Sequence, residues 1–199
     1  MERENNLALL IGDAAGRPVY SHRTREGEFW RFPLAVERLS GAVDTLNILA
    51  RRELLAELEV TEGRIGLAGR VRSYNNRSGR GAKLVLTVEA LETAFTSEDC
   101  RNSIFLSGAL CKEPIYRKTP MGREIADLML AVNRERGGSD YLPVIVWGDT
   151  ARRASGWHVG QHISLTGRMQ SRLYTKYENG IASERTAFEI SAASAELIP

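Results

Sequence analysis

The stretch of sequence that decides the fold is Asp140-Tyr-Leu-Pro-Val-Ile-Val-Trp147, in which two sets of side chains alternate. Strict alternation over this length predicts a β-strand with two distinct faces. One face, with Leu142 and Val144, suits a hydrophobic core, and the other presents Tyr141 and Trp147. These two aromatic residues are six positions apart, which is about 20 Å along a strand. Rings on an open face suit stacking against unpaired bases, whereas rings inside a core would only stabilise the fold. This stretch alone leaves both interpretations open.

Composition bounds the class of protein. The chain has 199 residues and a formal net charge of +2, which fits one large or two small folded domains and only weakly favours an anionic partner. Residues 1–6 contain no apolar segment, and no run is long enough to cross a membrane, so we expect a cytoplasmic protein without membrane contact. Cys100 and Cys111 have no metal-ligand spacing with the three histidines, and we expect both to be reduced, structural thiols, with a disulfide as the less favoured alternative.

The chain contains an internal repeat. A shift of 96 residues brings landmarks of the first half onto the second half without a gap. The coinciding pairs include Gly12 with Gly108, Pro18 with Pro114, Tyr20 with Tyr116, Leu34-Ala-Val36 with Leu130-Ala-Val132, Arg38 with Arg134, and Asp44 with Asp140. We therefore predict two homologous domains, at residues 1–97 and 98–199, each folding on its own.

Each copy has mostly β-strand patterns. The strands predicted in the first copy are Leu7–Ile11, Phe29–Arg38, Leu46–Ala50, Ile65–Tyr74 and Leu84–Leu91, with a helix at Arg52–Leu58. Those predicted in the second copy are Ile104–Leu110, Glu124–Asn133, Tyr141–Trp147, His162–Tyr174 and Thr186–Ala193, with a short helix near Thr150–Ala154 and a turn at Asn179-Gly180. Trp30 and Phe32 alternate with Leu34 and are expected in the core. Five strands with a helix between the third and fourth is the order of the OB-fold, a Greek-key barrel that often binds single strands or oligosaccharides. The predicted fold class is all-β, with two tandem OB-folds.

The second copy resembles the DNA-binding domain of bacterial single-stranded-DNA-binding proteins, from Asn102 to about Glu196. The motifs that carry the resemblance are Ser107-Gly108, Glu113-Pro114, Arg117-Lys-Thr-Pro-Met-Gly122, Leu130-Ala-Val-Asn-Arg134, Val144-Ile-Val-Trp-Gly148 and Gly167-Arg-Met-Gln-Ser-Arg-Leu-Tyr174. The first copy looks like a diverged relative of the same domain. The resemblance implies sequence-independent binding of single-stranded DNA, which the protein would protect during replication, recombination or repair.

The resemblance also implies a set of binding residues in the second copy. Tyr141, Trp147 and Tyr174 fall at three of the family's stacking positions, and Arg136 occupies a further aromatic position. Arginine can stack its guanidinium on a base or pair with phosphate. The expected phosphate contacts come from Arg117, Lys118, Arg134, Arg168, Arg172 and Lys176.

The first copy departs from this pattern. Thr45 and Arg51 stand where the second copy has Tyr141 and Trp147. Tyr74 lies on the strand-to-loop segment that the family uses, and it is either a stacking residue or a half-exposed hairpin tyrosine. The basic positions that the first copy retains include Arg51, Arg70 and Arg72. We expect this copy to bind the DNA backbone more weakly, or to serve assembly.

No catalytic constellation is visible in the sequence. Gly79-Arg-Gly-Ala-Lys83 lacks the full pattern of a phosphate loop, and His158 and His162 lack a third metal ligand at a suitable spacing. We therefore expect a protein that is not an enzyme and that uses no cofactor and no metal.

The family resemblance suggests an assembly as well. Because the family normally works with four such domains, a homodimer of this two-domain chain would supply the same number. The chain stops at Pro199, directly after the last strand, so we expect no acidic C-terminal recruitment tail. We expect the protein in the cytoplasm, associated with the nucleoid. The competing hypothesis is an OB-fold assembly or adaptor protein of a primosome or recombination complex, with weak or no DNA binding.

Overall fold

The computed structural model describes residues 4–56, 64–76, 82–178 and 181–199, without the side chains of residues 56, 176–178, 181 and 185. Two compact units are present. The C-terminal unit consists of Met1–Asn6, Ser73–Leu86 and Phe105–Pro199, and the N-terminal unit consists of Leu7–Arg72 and Thr87–Ile104. The domain boundary between residues 97 and 98 stays a prediction. The fold class is all-β with two tandem OB-folds, as predicted.

The first half of the chain builds its barrel from six strands and one short helix. Their bounds are β1 (Asn6–Ala14), β2 (Val19–Thr24), β3 (Gly27–Glu37), β4 (Val43–Arg51), α1 (Arg52–Ala56), β5 (Arg64–Asn75) and β6 (Leu84–Thr96). The strand order is β2-β3-β4-β6-β5-β1, in which β4 and β6 run parallel. A further antiparallel pairing of β1 with β3 closes the barrel.

The second half repeats this arrangement. Its elements are β7 (Arg101–Leu110), β8 (Ile115–Lys118), β9 (Glu124–Asn133), β10 (Ser139–Trp147), α2 (Gly148–Ala154), β11 (His162–Glu178) and β12 (Ile181–Leu197). The strand order is β7-β11-β12-β10-β9-β8, β10 and β12 run parallel, and β7 also pairs with β9. The same order and the same closing pair in both halves agree with the repeat seen in the sequence.

Two short strands are additions to the predicted set. All residues of β2 and β8 are exposed, so neither strand shows the alternation of buried and exposed side chains on which the prediction relied. Both pair with the longer strand that follows them. The end of the predicted first helix, at residues 57–58, and the turn at residues 179–180 lie outside the described residues, as does the loop at 77–81.

A glycine at the same point of each barrel explains one of the sequence coincidences. A Cβ added to Gly12 would lie 2.3 Å from the backbone oxygen of Ala35, and one added to Gly108 would lie 2.3 Å from that of Ala131. Real Cβ atoms do not come so close to an oxygen, so only glycine lets the closing strands approach at this point.

The core follows the alternating pattern that the sequence predicts. Leu142 and Val144 are buried in the C-terminal unit, and Phe32 is buried in the N-terminal unit. Trp30 is only half-buried, and its ring lies against the ring of Tyr20 and 5.8 Å from the guanidinium of Arg52. The described part of the chain contains no helix that is long and apolar enough to span a membrane.

Candidate nucleic-acid interface

The aromatic residues of β10 lie on the outer side of the C-terminal barrel. Tyr141 pairs with Ala131 and Trp147 with Ile125 across the β9–β10 ladder, so both rings point away from the side that buries Leu142. Tyr141 is 52% exposed, and Trp147 is half-buried. Of the two interpretations that the sequence leaves open for this strand, core or open face, the structure puts the ring of Tyr141 on the open face.

Neighbouring strands add charged and polar side chains to the same side. Ser191 of β12 pairs with Ile145 of β10 and with Arg168 of β11, so all three lie on the outer side. We call this surface the C-terminal face. Its described members include Arg117, Asp127, Tyr141, Ile145, Trp147, Arg168, Gln170, Arg172, Tyr174, Glu189 and Ser191.

A hydrogen bond holds the indole of Trp147. Its Nε1 donates to Ser191 Oγ over 3.1 Å. Gly167 lies against the backbone of Ser191, since a Cβ at residue 167 would be 2.3 Å from the Ser191 oxygen. Because the acceptor is part of a tightly packed strand pair, the indole is fixed before any ligand arrives, which lowers the entropy lost on binding.

Two of the three arginines of the C-terminal face, Arg117 and Arg172, are paired with carboxylates. Arg117 donates to both oxygens of Asp127, over 2.7 and 3.2 Å. This hydrogen bonding raises the pKa of the Arg117 guanidinium above its ordinary value, so the group keeps its charge at any physiological pH. Arg172 lies 3.5 Å from the carboxylate of Glu189.

Glutamine extends this network across β11. Gln170 Nε2 donates to Glu189 over 3.0 Å, and Arg168 donates to Gln170 Oε1 over 3.3 Å. The sequence analysis did not identify the carboxylates of Asp127 and Glu189 as part of the site. A signal was present for Asp127, which is the single charged residue between Ile125 and Asn133 in an otherwise apolar strand.

Three further basic residues of the predicted binding set are placed differently. Lys118 is adjacent to Arg117 on β8, so its side chain points to the opposite side, where Nζ lies 4.0 Å from Glu124. Arg136 is exposed in the turn between β9 and β10. The side chain of Lys176 lies outside the described side chains.

Arg134 is held by a buried carboxylate. Asp140 is fully buried, and its two oxygens accept from Arg134 over 2.5 and 2.9 Å. Arg134 also donates to the backbone oxygen of Ser73 over 3.1 Å. These contacts make Arg134 a positioning residue, with less freedom to follow a phosphate than the prediction assumed.

The same carboxylate positions Tyr141. Asp140 accepts from the backbone N–H of Ser73 over 2.7 Å, and the Ser73 hydroxyl accepts from the backbone N–H of Tyr141 over 2.8 Å. The strand end that carries Tyr141 is therefore fixed by polar contacts on both sides. The first copy holds a similar buried pair, in which Arg38 donates to both oxygens of Asp44 over 2.6 Å. The coincidence of these Arg and Asp positions in the repeat was the sequence signal for both pairs.

The remaining predicted residues lie on β4, β5 and β11. Tyr174 is half-buried near the outer end of β11, and Tyr74 is 53% exposed at the end of β5. Arg70 is half-buried. Arg72 donates to Glu89 over 2.6 Å, and Arg51 is exposed at the end of β4. Among the described residues, no group of three or more His, Cys, Asp or Glu side chains could hold a metal ion.

Aromatic rings among arginines, on the outer strands of an OB-fold barrel, are typical of sites that bind nucleic-acid strands. Comparison with known proteins is consistent with this class. The model of the "Single-strand binding protein family" matches residues 101–198. "Single-stranded DNA-binding protein 1" of Streptococcus pyogenes is 32% identical over 104 residues, which are 49% of this chain and 78% of that protein. The "Single-stranded DNA-binding protein" of Thermus thermophilus is 35% identical over 78 residues, which are 37% of this chain and 30% of that protein. The chain belongs to the single-strand binding protein family.

A solved structure has the same fold over both copies. The wild-type single-stranded DNA binding protein from Thermus aquaticus superposes with a TM-score of 0.75 at 24% sequence identity. The match covers 98% of this chain and 93% of that chain.

Proposed function

We propose that this chain binds single-stranded DNA without regard to base sequence and protects it during replication, recombination or repair. The single observation that carries the proposal is the fixed Trp147 indole, which shares one outer face with Tyr141 and three arginines. Bases of any sequence have a π-face that can stack on these rings. Arginines beside the rings supply charge for the phosphates. No step in this function requires catalysis or a cofactor, and its place is the cytoplasm, at the nucleoid.

Stacking and charge contribute in measurably different ways. Each stacked base contributes roughly 1–3 kcal/mol, and this contribution changes little with salt. Each neutralised phosphate adds about −0.7 to the slope of log affinity against log salt for a single strand. Removing a ring should therefore lower affinity at every salt concentration, whereas removing an arginine should lower both the affinity and the slope.

Titration with dT oligonucleotides, followed by tryptophan fluorescence at several salt concentrations, tests the proposal. Quenching that weakens with salt is expected, and Trp147→Ala should remove most of it. Tyr141→Ala should weaken binding as well. Tyr116→Ala is the matched control, because Tyr116 is an exposed tyrosine whose hydroxyl pairs with Glu124 and which does not belong to the C-terminal face. Absence of binding at low salt would contradict the proposal and favour an assembly or adaptor role instead.

We further propose that two chains form a homodimer, which would supply four OB-folds. The proposal rests on the family resemblance and on the two OB-folds present in each chain. Sedimentation equilibrium over a wide concentration range tests it: a mass of two chains is expected, and a mass of one chain at all concentrations would contradict it.

A further inference from the structure

The N-terminal unit contains a stacked pair of rings on its outer side. The rings of His22 and Phe29 are nearly parallel, with an interplanar angle of 6° and centroids 5.1 Å apart. Phe29 is only 4% exposed, while His22 is exposed. Phe29 therefore supports a histidine ring that remains accessible to solvent.

An irregularity in the β2–β3 ladder brings His22 to this position. Tyr20 pairs with Trp30, but His22 pairs with Phe29, because the register shifts between residues 20 and 22. In the C-terminal unit the corresponding β8–β9 ladder has no shift, and Arg117 pairs with Ile125. By the offset of 96 residues, Phe29 corresponds to Ile125, whereas His22 corresponds to Lys118. A bulge commonly changes the direction of one side chain, and here it puts His22 beside Phe29, where the other copy has Arg117 beside Ile125.

The partner of Phe29 on β4 also differs from its counterpart in the second copy. Phe29 pairs with Arg51 on β4, whereas Ile125 pairs with Trp147 on β10. In the C-terminal unit, Ile125 thus lies between a cation on β8, Arg117, and an aromatic ring on β10, Trp147. In the N-terminal unit the ring is on the short strand and the cation is on the long one.

The cations around the His22 ring are also less constrained. Within the described part of the chain, neither Arg51 nor Arg31 has a carboxylate within ion-pair distance, and both are exposed. Arg31 lies two residues from Phe29 on the same side of β3. In the C-terminal face, by contrast, Arg117 and Arg172 each have a carboxylate partner.

We propose that His22 is a second base-stacking position, with Arg51 as the adjacent phosphate contact, so that the N-terminal unit binds its own stretch of single-stranded DNA. This inference rests on the proposed function of the chain and names a site within it. The absence of a ring at Arg51, where the second copy has Trp147, then reflects an exchange of the ring and cation positions around Phe29, and the N-terminal unit is a binding domain.

Binding of a fluorescently labelled dT oligonucleotide to the full chain, measured by anisotropy, tests the inference. One OB-fold occupies about 4–16 nucleotides, so an oligomer of about 30 nucleotides engages both units and one of about 10 engages a single unit. His22→Leu and His22→Phe form a matched pair, since both cover Phe29 and only phenylalanine offers a ring for stacking. His158→Leu is the control for an exposed histidine in the other unit, and thermal unfolding confirms that each variant is folded.

For the long oligomer, His22→Leu should weaken binding by about five- to a hundredfold, the effect of losing one stacked base, while His22→Phe and His158→Leu leave it unchanged. In a Trp147→Ala background, His22→Leu should weaken binding of the short oligomer too, because the N-terminal unit then carries the affinity. If the leucine and phenylalanine variants bind with equal affinity and Trp147→Ala still weakens binding, the inference is overturned. If the unsubstituted chain does not bind the labelled oligonucleotide even at low salt, the proposed function itself fails.

Discussion

Replacing Asp127 by asparagine should strengthen the binding of single-stranded DNA, because it removes a negative charge from the C-terminal face. The carboxylate holds Arg117 through hydrogen bonds of 2.7 and 3.2 Å. Asp127 pairs with Ile145 across the sheet, two residues from Trp147, which is about 7 Å along the strand. A phosphate attached to a base on Trp147 therefore meets a repulsive charge at a similar distance.

The size of the effect follows from this distance. Two unit charges about 7 Å apart in water interact by about 0.6 kcal/mol, and a difference of about 1.4 kcal/mol is tenfold in affinity. Removal of the repulsion should therefore raise the affinity for single-stranded DNA about threefold at low salt. This gain in affinity shrinks as the Debye length falls to about 8 Å at physiological salt. Arg117 also becomes available to a phosphate, and one added contact should steepen the salt slope by about 0.7.

Anisotropy titrations of a labelled dT oligonucleotide over a series of salt concentrations measure both quantities. Asp99→Asn is the matched control, since it makes the same charge change and removes an exposed carboxylate 3.6 Å from Arg64, in the segment between β6 and β7. Weaker binding by Asp127→Asn would refute the reasoning, because it would mean that the carboxylate is needed to orient Arg117. An equal gain in affinity for Asp99→Asn would mean that the gain comes from the change in net charge and not from the position of Asp127.

Three further predictions concern the stability of the fold. Asp140→Asn should lower the free energy of unfolding by about 2–3 kcal/mol, because it leaves Arg134 without its buried partner; urea denaturation measures this, and an unchanged midpoint would contradict it. Gly108→Ala should lower the melting temperature by several degrees through the Cβ clash, which calorimetry would detect and which full retention of stability would disprove. Tyr116→Phe should lower the melting temperature mainly between about pH 5 and pH 9. The reason is that the hydrogen bond between Tyr116 and Glu124 raises the pKa of the phenol and lowers that of the carboxyl. This stabilisation is lost as pH falls through the lowered carboxyl pKa or rises through the raised phenol pKa, so a difference independent of pH would rule the linkage out.

Much of the fold could be predicted from the sequence because its strands alternate strictly. The Leu-Ala-Val segments and the paired glycines marked equivalent strands in both copies, and the buried packing of Gly12 and Gly108 explains why those positions coincide. The exposed strands β2 and β8 were not predicted, since their side chains contact solvent on both sides and leave no periodic pattern. These two strands join the sheet by backbone pairing with the strand that follows each of them, and they bury no side chains.

The candidate site was harder to predict than the fold. The rings of Tyr141 and Trp147 were found from alternation along a single strand. The pairing of Arg117 with Asp127 depends on contacts between strands, which one-dimensional patterns do not display. The accessible ring of His22 depends on a register shift in β2, and a shift of one residue changes the side of the sheet on which a side chain lies.

The most direct test of the central claim is to map where the strand lies on the protein. An oligo-dT in which single thymidines are replaced by 5-iodouridine can be photocrosslinked to the full chain, and mass spectrometry then identifies the linked residues. Stacking on the C-terminal face predicts crosslinks at Trp147 and Tyr141, which disappear when unlabelled oligonucleotide competes. Competable crosslinks that all lie elsewhere, with none in the strand Ser139–Trp147, would contradict the account.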